Sequence, residues 1–250
     1  MRLVAPILAY HSIHPARRDV INVLPQRFAQ QMQWLADHGF RGVSLHHYRQ
    51  ALASGQPSAS RMVAITFDDG YLDNFTQAWP ILQRHHFTAT IFVVPGRVGT
   101  NIVHDDSWLT QFPDVPREAY AYMDWAQIFT LSDAGIEIGS HTVSHPLLDE
   151  ISVNDQSHEI HESKRLLESH LGRPVTSFCY PAGHFTEDCL RFVKAAGYQQ
   201  AVVTPYQSGQ IRGGAFTLKR SGLYRDDTLP RFLFKISPLF DLFRAMRHAA

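Results

Sequence analysis

The sequence predicts an α/β protein with a parallel sheet, either closed as a barrel or open with helices on both faces. Three observations lead to this class. Short apolar runs rich in β-branched residues alternate with amphipathic stretches along most of the 250 residues. The amphipathic stretches carry helix start and stop residues at their ends. No internal repeat or low-complexity linker divides the chain, so we expect one domain over residues 1–250.

Each apolar run is short enough to be a buried strand. The predicted strands are 3–10, 41–45, 62–67, 88–94, 136–140, 175–180, 200–204 and 215–220. Between them, proline or a polar capping residue opens each clear helix and glycine follows its end. The predicted helices run from Pro25 to Gly39, from a capping Asn154 to Gly172, and from a capping Thr186 to Gly197.

Two segments stand apart from this alternation. Residues 95–123 are too long for an ordinary connection, which is typical of a lid or a functional insert. We expect this loop to border the site, with His104, Asp105 and Asp106 as candidate substrate contacts. The C-terminal helical tail, about 228–250, combines an apolar stripe with Arg and Lys. Docking on the barrel is the favoured interpretation, and peripheral membrane contact is the alternative.

Composition excludes some classes of function. Lys+Arg and Asp+Glu both count 23, so net charge does not point to nucleic acid. The two cysteines, Cys179 and Cys189, have neither zinc-knuckle spacing nor a disulfide framework. The N-terminus lacks signal-peptide features, so we expect a cytoplasmic protein, or an extracytoplasmic one if a leader was removed. The sequence leaves the oligomeric state open. Fifteen histidines make a metal or proton-transfer site worth seeking.

Polar residues follow several predicted strands at the point where each strand ends. Because the C-terminal ends of parallel strands share one face, these residues are expected to converge. Two imidazoles and a carboxylate suit a divalent transition metal and leave positions for water and substrate. The converging residues are His11 after the first strand, Asp68 and Asp69 after the third, His141 and His145 after the fifth, and "YPAG" (180–183) after the sixth.

The adjacent carboxylates of Asp68 and Asp69 repel each other, so their occurrence side by side requires an explanation. A simple turn is one explanation, and a cation held beside them is the other. One aspartate would be a metal ligand, and the other would take a proton from metal-bound water. The spacing of His141 and His145 places both rings on one side if the segment turns helically after Gly139.

The motifs "TFDDG" (66–70), "HTVSHP" (141–146) and "FCYPAG" (178–183) resemble those of the polysaccharide deacetylase superfamily, also called NodB homology or carbohydrate esterase family 4. The resemblance covers about residues 4–225. It implies a distorted (β/α)7 barrel with the site at the C-terminal strand ends. It also implies Asp68 as catalytic base and a divalent metal on Asp69, His141 and His145. Zinc is expected, with Ni²⁺, Co²⁺ and Fe²⁺ as alternatives.

The chain departs from the family pattern at three positions. Cys179 replaces an arginine, and Ala182 replaces a tyrosine whose backbone N–H faces the oxyanion, a role that a backbone donor can keep. Arg220 stands where a catalytic histidine is expected. The "YPAG" branch, similar to poly-N-acetylglucosamine deacetylases, uses a histidine of a "YHxI" segment, here His11. Arg220 is then expected to orient or balance Asp68. The expected substrate-binding residues are Tyr180, Pro181 and Gly183.

The resemblance implies hydrolysis of the N-acetyl group of an N-acetylated sugar or polysaccharide. One alternative is C–N hydrolysis of a small amide or imide. Another is an inactive, metal-containing carbohydrate-binding domain, against which the intact Asp68 argues. The helical stretch "SHEIHES" does not match HExxH, so its histidines, His158 and His161, are assigned to a solvated face.

Overall fold

The computed structural model describes residues 6–55, 61–101, 103, 107–204 and 214–237. Within these ranges nine strands form one sheet, and all pairings between them are parallel. The strands are β1 (Ile7–Tyr10), β2 (Arg41–Val43), β3 (Met62–Phe67), β4 (Thr90–Val93), β5 (Glu137–Ser140), β6 (Ser177–Cys179), β7 (Gln200–Val203), β8 (Leu218–Lys219) and β9 (Ser221–Gly222). The predicted parallel α/β class is confirmed.

Helices occupy the connections between consecutive strands from β1 to β7, and all three predicted helices are present. The Thr186 side chain caps the helix after it by accepting from the N–H of Cys189. The predicted cap at Asn154 is wrong, because Ser152 accepts from the N–H of Asp155 and the helix starts earlier. The helices are α1 (Pro25–Asp37), α2 (Leu45–Ala53), α3 (Trp79–Arg84), α4 (Ser107–Gln111), α5 (Trp125–Asp133), α6 (Val153–Leu171), α7 (Glu187–Ala195) and α8 (Leu229–Lys235).

The sheet is nearly closed as a barrel, and one residue joins the strands at its two ends. Its order is β8-β7-β6-β5-β4-β3-β1-β9, so β8 and β9 lie at opposite ends. Only Arg220 separates these two strands along the chain. The chain therefore passes from the β7 edge to the β1 edge across Arg220. The barrel is distorted, because β2 pairs with the first half of β3 and β4 with the second half.

The alternation of side chains along β3 shows which residues face the barrel interior. Val63, Ile65 and Phe67 join the large cluster that packs against the surrounding helices. Ala64 belongs to a smaller cluster with Phe92 and Val202, closed at one end by residues of α2. Asp68 lies two residues after Thr66 and four after Ala64, so its side chain is on the same, inward-facing side. The strand period therefore directs this carboxylate into the C-terminal mouth of the barrel.

The described part of the C-terminal tail docks on the barrel. Phe232 of α8 is fully buried, and Leu229, Leu233 and Ile236 pack against the main core. Residues 238–250 lie outside the described ranges, as do His104, Asp105 and Asp106. No helix among the described residues combines the length and apolar character that a membrane crossing requires.

Candidate active site

The sequence-predicted site residues meet at the C-terminal ends of the strands. His11 follows β1, Asp68 and Asp69 follow β3, and His141 follows β5. Arg220 enters from the seam between β8 and β9. These positions lie far apart in sequence, and parallel pairing alone brings them to one rim. The rim contains two adjoining groups of side chains, one with the donors for a metal ion and one built around a buried ion pair.

The first group consists of Asp69, His141 and His145. Oδ1 of Asp69 lies 3.7 Å from Nε2 of His141 and 3.4 Å from Nε2 of His145. One ligand atom from each residue lies within 4.8 Å of the others. Nδ1 of His141 is 2.7 Å from the carbonyl oxygen of Cys179, which can only accept, so Nδ1 carries the proton. Nε2 of His141 is then left as a lone-pair donor, and the set fits a divalent metal ion.

The segment between the two histidines is not helical, so the predicted reason for their shared side is wrong. Thr142 and His145 have φ of 64° and 67°, in the left-handed region. The hydroxyl of Thr142 accepts from the N–H of His145 at 3.0 Å, which closes a tight turn. This turn brings the imidazole centroids within 4.7 Å. Asp69 also has a positive φ of 73°, and such strain is typical of functional sites.

The second group is the ion pair of Asp68 and Arg220. The guanidinium donates to both carboxylate oxygens at 2.6 Å, and both side chains are buried. Burial opposes the charge of Asp68, but the charge and hydrogen bonds of Arg220 outweigh burial and lower the pKa of Asp68. Burial likewise opposes the charge of Arg220, yet Asp68 holds the pKa of Arg220 above the ordinary arginine value. Asp68 is therefore ionised at neutral pH, and Arg220 is a poor proton donor.

A second set of potential metal donors consists of Asp68, His141 and Cys179. The guanidinium of Arg220 already binds two of these residues, Asp68 and Cys179. Nη2 of Arg220 lies 3.1 Å from Sγ of Cys179. A cation placed among these atoms would be repelled by the arginine. Burial raises the pKa of the Cys179 thiol well above its usual value, which also disfavours metal binding through sulfur. Of the two donor sets, the one containing Asp69 is therefore the better candidate for binding a metal ion.

His11 lies beside the ion pair. Its Nε2 is 3.7 Å from Oδ2 of Asp68, and its side chain is 13% exposed. Two residues that the sequence reasoning missed anchor its loop. Asn74 donates from its amide to the carbonyl of His11 at 2.8 Å. Asp73 accepts from the hydroxyl of Ser12 and the N–H of Ile13. The positions of Asp73 and Asn74, three and four residues after Gly70, did not predict this role, because the residues that they bind are about 60 residues away in sequence.

The "YPAG" turn follows β6 at the same rim. Ala182 is exposed and has φ 50° and ψ 10°, another strained non-glycine position. Gly183 cannot carry a side chain, because a Cβ there would lie 2.7 Å from the carbonyl oxygen of Thr204. Tyr180 and Pro181 are buried. Substrate contact by Tyr180, Pro181 and Gly183 stays a prediction, and Ala182 is the residue that the turn presents to solvent.

The last residues of the segment 95–123 pack on the loop that follows the paired aspartates. The N–H of Met123 donates to the carbonyl of Gly70 at 3.0 Å, and the N–H of Leu72 donates to that of Ala121 at 2.8 Å. The rings of Tyr71 and Tyr122 stack at 4.9 Å. These contacts place the end of the segment at the C-terminal side of β3. Its influence on substrate choice stays a prediction.

The fold and the site define a class: a parallel β/α barrel with a buried carboxylate–guanidinium pair and a candidate set of metal-binding side chains at its C-terminal rim. The chain belongs to the polysaccharide deacetylase family, whose model matches residues 55–201. The resemblance that the motifs indicated is thereby confirmed. The chain is also similar to a solved structure, the Streptococcus pyogenes deacetylase PplD in complex with acetate. The TM-score is 0.77 at 26% identity, covering 95% of this chain and 100% of that one.

Curated relatives show the same family. YxkH of Bacillus subtilis, which bears the polysaccharide deacetylase name, is 29% identical over 215 residues. The match covers 86% of this chain and 70% of that protein. The poly-β-1,6-N-acetyl-D-glucosamine N-deacetylase of Escherichia coli K12 is 29% identical over 140 residues. That match covers 54% of this chain and 20% of the Escherichia coli protein.

Proposed function

We propose that this protein hydrolyses the N-acetyl group of an N-acetylated glucosamine polymer with the help of a divalent metal ion. The observation that carries the proposal is the placement of two groups side by side at one rim. The Asp69–His141–His145 set offers metal ligands, and Asp68 lies next to it in sequence with an ionised carboxylate. A binding module would not need an ionised carboxylate beside a cation, so the arrangement favours catalysis over binding alone.

The similar proteins support this substrate class and product. The printed name of the Escherichia coli relative specifies poly-β-1,6-N-acetyl-D-glucosamine. The Streptococcus pyogenes structure contains acetate, which is the product that N-deacetylation releases. We propose zinc as the metal, because two imidazoles and one carboxylate are ligands that zinc prefers. Nickel, cobalt and iron accept the same donors, and elemental analysis of the protein as purified would distinguish them.

Each residue then has a defined part in the reaction. A divalent ion held by Asp69, His141 and His145 would supply Lewis acidity, polarising the acetamide carbonyl and making water more acidic. Asp68 accepts the proton of the attacking water, and Arg220 orients its carboxylate. The backbone N–H of Ala182 donates to the oxygen that becomes negative in the tetrahedral intermediate.

The departing amine needs a proton, which we assign to His11. Arg220 holds its proton too tightly for this purpose. His11 is partly exposed at the mouth of the barrel and lies next to Asp68. The hydrogen bond of Asn74 to the backbone of His11 fixes the loop that carries the imidazole. An imidazole in this position can donate a proton to a leaving amine on the substrate side.

Replacing His11 by Ala should lower kcat by about 10²–10⁴-fold, the usual contribution of a general acid, without releasing the metal. Steady-state acetate release and elemental analysis measure the two effects. His47→Ala, an exposed histidine on α2, is the matched control and should change neither. Full kcat in His11→Ala across the pH range would show that the acid is another group.

The proposed activity is tested by a substrate screen. Oligomers of β-1,6-linked and β-1,4-linked N-acetylglucosamine are incubated with the metal-loaded protein, together with small amides and cyclic imides. We expect acetate from at least one glycan series and no ammonia or ring-opened product from the small molecules. Product from the imides alone would favour small-molecule C–N hydrolysis. No turnover of either class by a metal-loaded protein would favour a binding domain.

We propose that the segment 95–123 shapes which glycan enters, because its end, residues 121–123, packs directly on residues 70–72 beside the paired aspartates. Replacing residues 107–114 by a short Gly-Ser linker should alter the ratio of kcat/KM between long and short oligomers by roughly tenfold, about 1.4 kcal/mol of discrimination. The metal content should be unchanged. An unaltered ratio across oligomer lengths would contradict this role.

A further inference from the structure

The tight turn between the two metal-site histidines is held by one carboxylate that the sequence reasoning assigned no role. Glu159 lies on α6, between the two histidines that were assigned to solvent. Its Oε2 accepts from the N–H of Val143 at 2.6 Å and from the N–H of Ser144 at 3.0 Å. Its Oε1 accepts from the hydroxyl of Ser144 at 2.6 Å. Three donors of the turn therefore converge on a single side chain.

The same two residues, Val143 and Ser144, are bound through their carbonyl groups by the segment after β4. The carbonyl of Val143 accepts from the N–H of Gly96 at 2.9 Å. The carbonyl of Ser144 accepts from the guanidinium of Arg97 at 3.3 Å. Gly96 is needed for this approach, because a Cβ there would lie 2.5 Å from the carbonyl oxygen of Val143. Glu159 and the 96–97 segment thus bind opposite sides of the turn.

The turn depends on such contacts because its backbone is strained. Thr142 and His145 both have positive φ, and non-glycine residues hold that conformation only when surrounding structure imposes it. Two adjacent N–H groups pointing to one side also need a common acceptor, and a carboxylate satisfies both with charge-assisted hydrogen bonds. Without that acceptor, the turn would relax and the imidazole of His145 would move away from Asp69.

We propose that Glu159 is a positioning residue for the metal site, which orients His145 toward Asp69 and thereby raises the affinity for the metal. This inference rests on the proposed function, because it takes Asp69, His141 and His145 as the metal ligands. Among the contacts described, Glu159 reaches the turn through the backbone of Val143 and through the backbone and hydroxyl of Ser144. Outer partners of metal ligands typically contribute 10–100-fold to metal affinity.

The test is the dissociation constant for Zn²⁺, measured on metal-free protein by competition with a chromophoric chelator. Glu159→Ala removes all three hydrogen bonds and should weaken zinc binding by about 10–100-fold. Glu159→Gln keeps one acceptor oxygen of similar position and should fall between Glu159→Ala and the unaltered chain. Glu162→Gln is the matched control, since Glu162 lies on the same helix and pairs only with exposed Arg165 among the contacts described. Its zinc affinity should be unchanged.

Thermal melting of the metal-free variants separates positioning from general stability. Zinc affinity equal to that of the unaltered chain in both Glu159 variants, with or without a lower melting temperature, would overturn the inference. Should Glu159→Ala fail to fold, the intermediate Glu159→Gln still decides it. His145→Ala tests the ligand assignment itself and should lose zinc. Tight zinc binding by His145→Ala would refute the proposed ligand set. That result is distinct from unchanged zinc affinity in the Glu159 variants, which would refute only the role of Glu159.

Discussion

Replacing Asp68 by Asn should lower kcat on an N-acetylglucosamine oligomer by about 10²–10⁴-fold while the metal stays bound. The amide has the shape of the carboxylate but does not take a proton from water. We expect the metal to be retained because Arg220 binds both carboxylate oxygens of Asp68, whereas the proposed ligand atoms belong to Asp69, His141 and His145. Acetate release gives kcat, and elemental analysis of the same sample gives metal content.

The same substitution carries a cost in stability that must be measured separately. Removing one charge from a buried ion pair typically destabilises a protein by about 3–5 kcal/mol, because the other charge remains buried. Arg220 is fully buried, so Asp68→Asn should melt at a lower temperature than the unaltered chain. Asp226→Asn, at an exposed aspartate, is the control for both readouts. A folded Asp68→Asn protein with kcat within threefold of the unaltered chain would exclude Asp68 as the base.

Replacing the neighbouring Asp69 by Asn should have the opposite effect on the metal. The charged ligand is lost, so bound zinc should fall sharply and activity should fall at least as far as in Asp68→Asn. Asn is a suitable replacement, because Asp69 has φ 73° and Asn tolerates that left-handed conformation better than most residues. The backbone is therefore expected to stay in place, so a loss of zinc in Asp69→Asn can be attributed to the loss of the charged ligand.

Zinc added in excess should restore part of the activity of Asp69→Asn and none of that of Asp68→Asn. The pair of variants is internally matched, because adjacent residues receive the same substitution. Zinc titration followed by acetate release measures the difference. Equal metal content in the two variants would contradict the division of roles between the two aspartates.

Much of this arrangement follows from local sequence patterns. Apolar runs of four to eight residues predicted strands β1–β7 because burial on both faces requires continuous hydrophobic residues. The general rule for parallel sheets then placed His11, the paired aspartates and His141 on one rim. Several predicted strands are longer than the observed ones: of the six residues 215–220, only Leu218–Lys219 form a strand, β8. The following β9 is too short for a periodic signal and was not predicted.

Patterns also failed where a conformation depends on distant partners. The spacing of His141 and His145 suggested a helical turn, but the segment takes two positive φ values instead. Val143 and Ser144, which lie between the two residues with positive φ, bind Glu159 and the 96–97 segment, which no local window includes. Ser152 caps α6 in place of Asn154, a local error of two residues that leaves the helix in its predicted place.

The sequence by itself determined the class of fold, the order of the site-bearing strands and the residue types, two histidines and an aspartate, of the proposed metal site. These depend on residue type and on periodicity within a strand or helix, which are local properties. The tertiary structure decided that Arg220 binds Asp68, 152 residues away, and that a carboxylate of α6 holds the turn before His145. Those contacts form only when barrel closure brings distant segments within hydrogen-bonding distance. The strength of the interactions also depends on burial, since exclusion of water makes the Asp68–Arg220 pair specific and its separation costly.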